Sequence, residues 1–166
     1  MILSILMLGI AGCPRPPSGA PFQIPEEPPS HRGRLIVYRA DHQPSLARVR
    51  VTIDGRELAQ LRNHEYETIL LGRGSHIMRA GLRGFALLAW GWNSHQFRLI
   101  PGETSYLEIS VRLTANAEPP SRELEIGGRP SGTASENVFI VPVSAKNAIS
   151  KLEKMTRSPA GSVSRK

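Results

Sequence analysis

Apolar and polar side chains alternate along several short stretches of the chain. The clearest stretch is residues 48–53, RVRVTI, in which every second side chain is apolar. A period of two puts successive side chains on opposite faces and is typical of a half-buried β-strand. Asp54 and Gly55 follow at once, and an Asp-Gly pair between apolar runs predicts a tight hairpin turn. The return strand is expected at residues 57–61.

Further strands are predicted where an apolar or alternating run of strand length is bounded by turn residues. Gly72 and Gly74 are turn residues between two such runs, and Gly102, which follows Pro101, precedes another. The polar residues 93–95 are expected to form a loop. The strands predicted in this way are residues 34–39, 66–71, 76–82, 85–92, 96–100, 106–113 and 138–143.

One helix is predicted, late in the chain. Residues 145–155 carry apolar side chains at helical spacing, and Ser144 has a side chain suited to an N-cap. Many short strands, with turn signals about every 8–12 residues, predict an all-β fold with this one short C-terminal helix. The expected architecture is an antiparallel β-sandwich, and a small open barrel is the alternative.

The chain opens with an uncharged apolar run, residues 2–12. A bilayer span takes about 20 apolar residues, so the run is too short to cross a membrane, but it has the length of a signal-peptide core. The run ends in Ile10-Ala11-Gly12, directly before Cys13, the single cysteine of the chain. This ending resembles the lipobox of bacterial lipoproteins. The resemblance implies cleavage between Gly12 and Cys13 and a lipid anchor to a membrane at Cys13.

A buried N-terminal element with a free core cysteine is the alternative interpretation. Seven prolines within residues 14–30 argue against it, because such a tract stays extended and cannot return the apolar run to a core. The predicted organisation is a signal peptide (1–12), a lipidated cysteine and proline-rich tether (13–32), a β-sandwich core (33–113), a flexible loop (114–136), a closing strand and helix (137–156) and a disordered tail (157–166).

The charge balance is basic, with 21 Lys and Arg residues against 14 Asp and Glu and a net charge of +7. A basic balance is compatible with nucleic-acid binding. The arginines are spread along the chain, however, with no dense run and no interleaving of basic and aromatic residues. We therefore expect solvated strand faces with a general attraction to anionic lipid, and no nucleic-acid partner.

Three longer stretches resemble small bacterial envelope lipoproteins with a PEGA-like β-sandwich domain of unknown function. They are IDGRELAQLRNHEYETILLGRGSHIMRA, PGETSYLEISV and VFIVPVSAKNAISKLEKM. The resemblance covers residues 33–113, with a looser match at 138–155. It differs at Arg73, where the turn of that pattern has Pro-Gly. What it implies is an envelope location and a β-sandwich fold, and it carries no reaction.

The chemistry-bearing residues do not form a recognisable catalytic or metal-binding motif. The five histidines have no His-x-His, HExxH or Cys/His spacing, and the serines lie in no nucleophile motif. The sequence therefore predicts no metal, no cofactor, no catalytic residue and no enzymatic activity. Asp54, Gly55, Gly72, Gly74 and Gly102 are predicted to serve the turns, and His76 is expected to bond a nearby backbone group or carboxylate.

Trp90, Trp92 and His95 are the candidate contact residues. Two tryptophans close to a polar loop are typical of an aromatic platform for a sugar, a peptide or a partner protein, although core packing is the more common role of tryptophan. The first hypothesis is a protein-interaction module that binds an unknown envelope protein through a sheet edge or the Trp92 loop. The alternative is a module that binds glycan, peptidoglycan or a small apolar ligand in a groove near Trp90 and Trp92.

The location follows from the lipobox. Cys13 is followed by Pro14 and Arg15 rather than by the Asp that commonly retains lipoproteins at the inner membrane. A lipid anchor in the outer membrane, facing the periplasm, is therefore favoured over the inner membrane.

Overall fold

A computed structural model describes residues 19–41, 48–83, 89–112 and 137–159. For residues 83, 89–92, 112 and 137 it describes the backbone and not the side chain. The predicted signal peptide, its cleavage at Gly12, the lipidation at Cys13 and the predicted loop 114–136 all lie outside the described residues.

The described chain forms nine strands and one helix. In chain order they are β1 (Arg32–Arg39), β2 (Val49–Ile53), β3 (Arg56–Leu61), β4 (Glu65–Gly72), β5 (Gly74–Arg83), β6 (Ala89–Leu99), β7 (Thr104–Arg112), β8 (Asn137–Val143), α1 (Ala145–Leu152) and β9 (Thr156–Arg157).

The strands form two sheets, and the predicted β-sandwich is confirmed. The five-stranded sheet has the order β8-β7-β1-β4-β9 and the four-stranded sheet the order β3-β2-β5-β6. The described strands do not close into one barrel. Neighbours are antiparallel with two exceptions, since β1 pairs with β7 and β4 pairs with β9 in parallel. Parallel neighbours need a crossover connection, which short turn signals do not reveal.

The core lies between the two sheets, because the alternating strands turn one apolar row inward. Its fully buried members include Leu35, Val37, Val51, Leu61, Met78, Leu99, Ile109 and Ile140. A second cluster lies on the outer face of the five-stranded sheet, where α1 packs. It contains Ile36, Tyr38, Tyr66, Tyr106, Ala148, Leu152 and Met155. The helix therefore covers the outer face of one sheet.

Helix α1 begins at its predicted cap and ends earlier than predicted. The Ser144 side chain accepts a hydrogen bond from the Asn147 amide at 3.5 Å. The helix ends at Leu152, where the Met155 amide donates to the Leu152 carbonyl at 2.8 Å and turns the chain toward β9. Lys151 ties the helix to the sheet through Glu108, with 2.7 Å between Nζ and Oε2.

The N-terminal strap, which we define as Gly19–Phe22, pairs with β9. The Gly19 amide donates to the Arg157 carbonyl at 2.9 Å, and the Arg157 amide donates to the Ala20 carbonyl at 2.9 Å. The Phe22 ring packs edge-on against Tyr66, with ring centroids 5.3 Å apart. This corrects the predicted tether of residues 13–32 in its described part. Proline keeps the segment extended, but the other residues of the strap keep their backbone amides, and these bond to the chain at β9.

The disordered tail is predicted to begin at residue 157, and this start is wrong because residues 157 and 158 pack against the fold. Arg157 lies in β9 and is 2% exposed, and Ser158 is buried. The Arg157 Nε atom donates to Glu67 Oε1 at 3.0 Å, and Glu67 is itself fully buried. A buried charge is stable only when it is paired, and this pair holds β9 against β4.

Arg39 forms a second buried ion pair and reaches across to the other sheet. Its Nε atom donates to Asp41 Oδ2 at 2.9 Å, and its NH1 atom donates to the Leu61 carbonyl at 3.1 Å. Ser158 Oγ donates to the neighbouring Gln60 carbonyl at 3.3 Å. Two carbonyls of the edge strand β3 thus accept hydrogen bonds from Arg39 of β1 and from Ser158, which follows β9.

Candidate functional site

Strand β6 joins the described part of the predicted strand 85–92, the loop expected at residues 93–95 and the predicted strand 96–100 into one strand. Residues 85–88 of the first predicted strand lie outside the described residues. Strand β6 pairs with β5 along its length, with one shift of register between Ala80 and Leu82. Asn93, His95 and Leu99 are buried, whereas Ser94 and the other alternate positions are exposed. The polar stretch is a strand because its inward amide finds a partner. The Asn93 Nδ2 atom donates to the Val138 carbonyl of β8 at 3.0 Å.

A cleft opens between β6 of one sheet and β7 and β8 of the other. Its volume is about 290 Å³. It is lined by His95, Phe97, Arg98, Thr104, Ser105, Tyr106, Leu107, Pro142, Val143 and Ala145. Ligand sites for drug-sized molecules span roughly 300–1,000 Å³. The cleft therefore has room for one ring or one side chain rather than for a long oligomer.

His95 is the distinctive residue of the cleft. It is 7% exposed, and its ring stacks on Phe97 with centroids 6.4 Å apart. Its buried Nδ1 atom has no hydrogen-bond partner among the described residues. Burial lowers the pKa of His95, so the imidazole is neutral at neutral pH. Buried polar atoms are nearly always paired, so the unpartnered Nδ1 atom marks His95 as the unusual polar group of the cleft wall.

The cleft combines this unpartnered polar atom with apolar walls and a cationic rim. Leu107 and Pro142 are cross-strand partners on β7 and β8 and line the wall. Arg98 is exposed and lines the cleft from β6. A neutral imidazole has one donor and one acceptor nitrogen. The arrangement suits a ring or side chain that carries a hydroxyl or amide.

Trp90 and Trp92 lie in β6, where Trp90 pairs with Leu82 across the shift of register. Their side chains lie outside what the structure describes, so the aromatic platform stays a prediction. The third candidate, His95, lines the cleft three positions after Trp92.

The predicted turn residues lie at tight turns. Asp54 and Gly55 have φ values of 49° and 79°, the positive pair that a type I′ hairpin needs. Gly74 and Gly102 also have positive φ, at 145° and 81°, whereas Gly72 has not and is the exposed last residue of β4.

His76 joins two of these turns. Its Nδ1 atom lies 2.7 Å from Asp54 Oδ2, and its Nε2 atom lies 3.0 Å from the Gly72 carbonyl. Burial acts to lower the pKa of His76, but the hydrogen bonds to Asp54 and Gly72 outweigh it and raise the pKa. The hydrogen bond from His76 lowers the pKa of Asp54 in turn. Both groups are occupied in tying the turns together.

The described residues contain no cluster of three or more His, Cys, Asp or Glu side chains that could hold a metal ion. Within the same ranges, no helix is both long enough and apolar enough to span a bilayer.

Comparison with known proteins gives no relative. No protein-family model matches the chain, and no curated protein or solved structure matches it significantly. The class of protein is therefore defined by the fold and the cleft alone, a two-sheet β-sandwich with a binding-sized opening between its layers.

Proposed function

We propose that this chain is a lipid-anchored, non-catalytic interaction module of the bacterial envelope. The sequence Ile10-Ala11-Gly12-Cys13 supports the anchor, since it has the order of a lipobox. More than one acyl chain gives stable anchoring, and a lipoprotein cysteine carries several. The strap supports a module held near its anchor, because the chain is fixed to β9 from Gly19 onward.

The unpartnered Nδ1 atom of His95, a residue that lines the cleft, carries the proposed binding role. Edge strands also offer binding sites, because their free amides and carbonyls can pair with another chain. The β3 edge is less suited to this, since Arg39 and Ser158 already occupy its Leu61 and Gln60 carbonyls. We favour the cleft as the contact because, of its described lining residues, His95 is the one with a buried unpartnered polar atom.

The proposed occupant is a side chain of a partner envelope protein. A small pocket with one buried polar atom fits the anchor residue of an interface, and tyrosine is common among such anchors. Tyrosine supplies both a ring for the apolar wall and a hydroxyl for His95. The cleft volume of about 290 Å³ also admits a single sugar ring, which is the second candidate.

The test follows the histidine ring nitrogens by NMR in the mature chain while a probe is added. Para-cresol stands for a tyrosine side chain, and N-acetylglucosamine stands for a sugar ring. We expect para-cresol to shift the His95 nitrogens in a saturable way, in the millimolar range typical of such small ligands. His76 is the internal control and should not move, because both its nitrogens are already paired.

Each outcome of this titration is decisive. A shift of His95 by para-cresol alone supports the protein-interaction role. A shift by N-acetylglucosamine alone replaces it with the sugar-binding candidate. If neither probe moves the His95 signals, or if His76 moves equally, the cleft is not the binding site.

A further inference from the structure

One end of the sandwich carries two arginines beside an exposed isoleucine. A groove of about 460 Å³ is lined there by Arg73, Gly74, Arg98, Leu99, Ile100 and Pro101. Gly74 and Leu99 are cross-strand partners, which puts Arg73 at the same level as Ile100. Ile100 is 52% exposed. We call Arg73, Arg98 and Ile100 the arginine end.

The cations of the arginine end are not used inside the fold. Arg73 and Arg98 form no hydrogen bond or ion pair with any described side chain or backbone group, and both are exposed. The acidic residue nearest in the chain is Glu103, in the turn after Ile100. The pairing with His76 occupies Asp54, which also lies close to this end. The arginine end therefore has an excess of positive charge.

The register of the strap shows which way the chain leads back toward Cys13. Thr156 is bridged to Pro21 on one side and paired with Glu65 on the other. The strap runs antiparallel to β9, and β9 runs parallel to β4. Followed backward from Phe22 to Gly19, the strap points toward the last residue of β4, Gly72. That residue adjoins Arg73 of the arginine end.

The reach of the chain matches the distance to that end. Cys13 lies six positions before Gly19, and six residues span at most about 20 Å. Gly19 is bonded to Arg157, which pairs with Tyr66. From Tyr66 to Gly72 is six further residues of strand, again about 20 Å. A cysteine anchored in a bilayer is thus within reach of the level of the arginine end.

We propose that the arginine end is a membrane-facing surface that binds the headgroups of anionic phospholipid. This rests on the proposed lipid anchor at Cys13. Guanidinium groups form paired hydrogen bonds to phosphate, and an exposed apolar side chain between them enters the interfacial layer. The anchor supplies the attachment, and the arginine end fixes which end of the sandwich faces the lipid, with Arg98 shared between this end and the rim of the cleft.

The test uses the mature acylated chain in vesicles of phosphatidylcholine alone or mixed with phosphatidylglycerol. Ile100→Cys carries an environment-sensitive fluorophore, since acylation blocks Cys13, and the lipid carries a quencher. We expect quenching of this probe with phosphatidylglycerol and much less without it. Arg62→Cys is the matched control, because it lies in the turn before β4, at the opposite end of that strand from Gly72. Its probe should stay unquenched in both vesicles.

Charge reversal tests the arginines directly. We expect R73E/R98E to weaken the affinity of this end for the anionic surface about 30-fold or more, since removing one cation costs about fivefold and the variant removes two, and the quenching at Ile100→Cys should fall accordingly. The same charge change placed elsewhere, R62E/K154E, should leave it unchanged. Inorganic phosphate, added at a charge concentration equal to that of the phosphatidylglycerol, should not reverse the quenching. A reversal would mean that the arginine end binds free phosphate rather than the lipid headgroup.

The outcomes separate the two proposals. If the chain floats with the vesicles but the probe at Ile100→Cys is unquenched, or is quenched equally without phosphatidylglycerol, the membrane-facing surface is wrong and the anchor stands. Quenching that R73E/R98E leaves intact also overturns it. If the wild-type chain is not acylated and does not float, the anchor itself is wrong and the inference fails with it.

Discussion

Glu67→Ala is expected to lower the free energy of unfolding by about 3–5 kcal/mol, because it leaves the Arg157 guanidinium buried without its carboxylate. Arg157 is 2% exposed, and the Glu67 side chain is fully buried. A charge without a partner in such a site keeps its desolvation penalty and loses the attraction that offset it. Urea unfolding followed by circular dichroism, with the wild type and the variant in one and the same detergent, measures the difference in the free energy of unfolding.

Glu57→Ala is the matched control for this loss. Arg50 and Glu57 form an ion pair of 2.8 Å, but their side chains are 45% and 26% exposed. Exposed pairs contribute about 0–1 kcal/mol, so this variant should change stability little. Hydrogen exchange adds a local readout, since the amides of Gly19 and Arg157 should lose protection in Glu67→Ala. Equal stability losses in the two variants would contradict the role assigned to the buried pair.

Ile109→Ala is expected to destabilise the fold by about 2–5 kcal/mol, the usual cost of truncating a buried aliphatic side chain. Ile109 is fully buried at the centre of β7, where it pairs with Ile140 of β8. The loss combines the transfer of the missing methyl groups with the cavity that rigid neighbouring strands leave behind. The same urea titration measures it.

Ile77→Ala is the control, since it removes the same atoms from a strand residue that is 49% exposed. Exposed substitutions usually change stability by about 0.5 kcal/mol or less. A comparable loss at Ile77, or a negligible loss at Ile109, would show that the core does not lie between the two sheets as described.

Local patterns predicted most of the strands, including β1 and β8, whose partners are distant in the chain. The alternation over residues 48–53 predicts β2, observed at Val49–Ile53, because alternation is visible without knowledge of the partner. The Asp54-Gly55 turn follows from φ values that few residues accept. Helix α1 was predicted from its cap and its apolar spacing. In each case the determining physics acts within a few residues.

Contacts between distant residues were not visible in the sequence. Strand β9 has two residues, too few to show a period, and Arg157 lies in a polar stretch typical of a tail. Its partner Glu67 is 90 positions away, and nothing local indicates that the two charges meet. The strap was missed for the same reason, because backbone amides that bond to β9 leave no mark in the side-chain pattern.

The cleft was predicted only in part. His95 was singled out for its place near two tryptophans, but it was expected in a loop rather than inside a strand. Its neighbours Leu107 and Pro142 come from β7 and β8, and they meet His95 only through the packing of one sheet on the other. Pro142 in the edge strand β8 and the buried polar residues Asn93 and His95 of β6 indicate the cleft only once the topology is known.

The most direct test of the account is the intact mass and membrane partition of the protein produced in a bacterium, compared with Cys13→Ala. The account predicts that the wild type loses residues 1–12, gains the mass of its acyl chains and enters the detergent phase. The Cys13→Ala chain should do none of these. A wild type that stays full-length and free of acyl mass, and that partitions like Cys13→Ala, would contradict the lipid anchor and the membrane-facing orientation built on it.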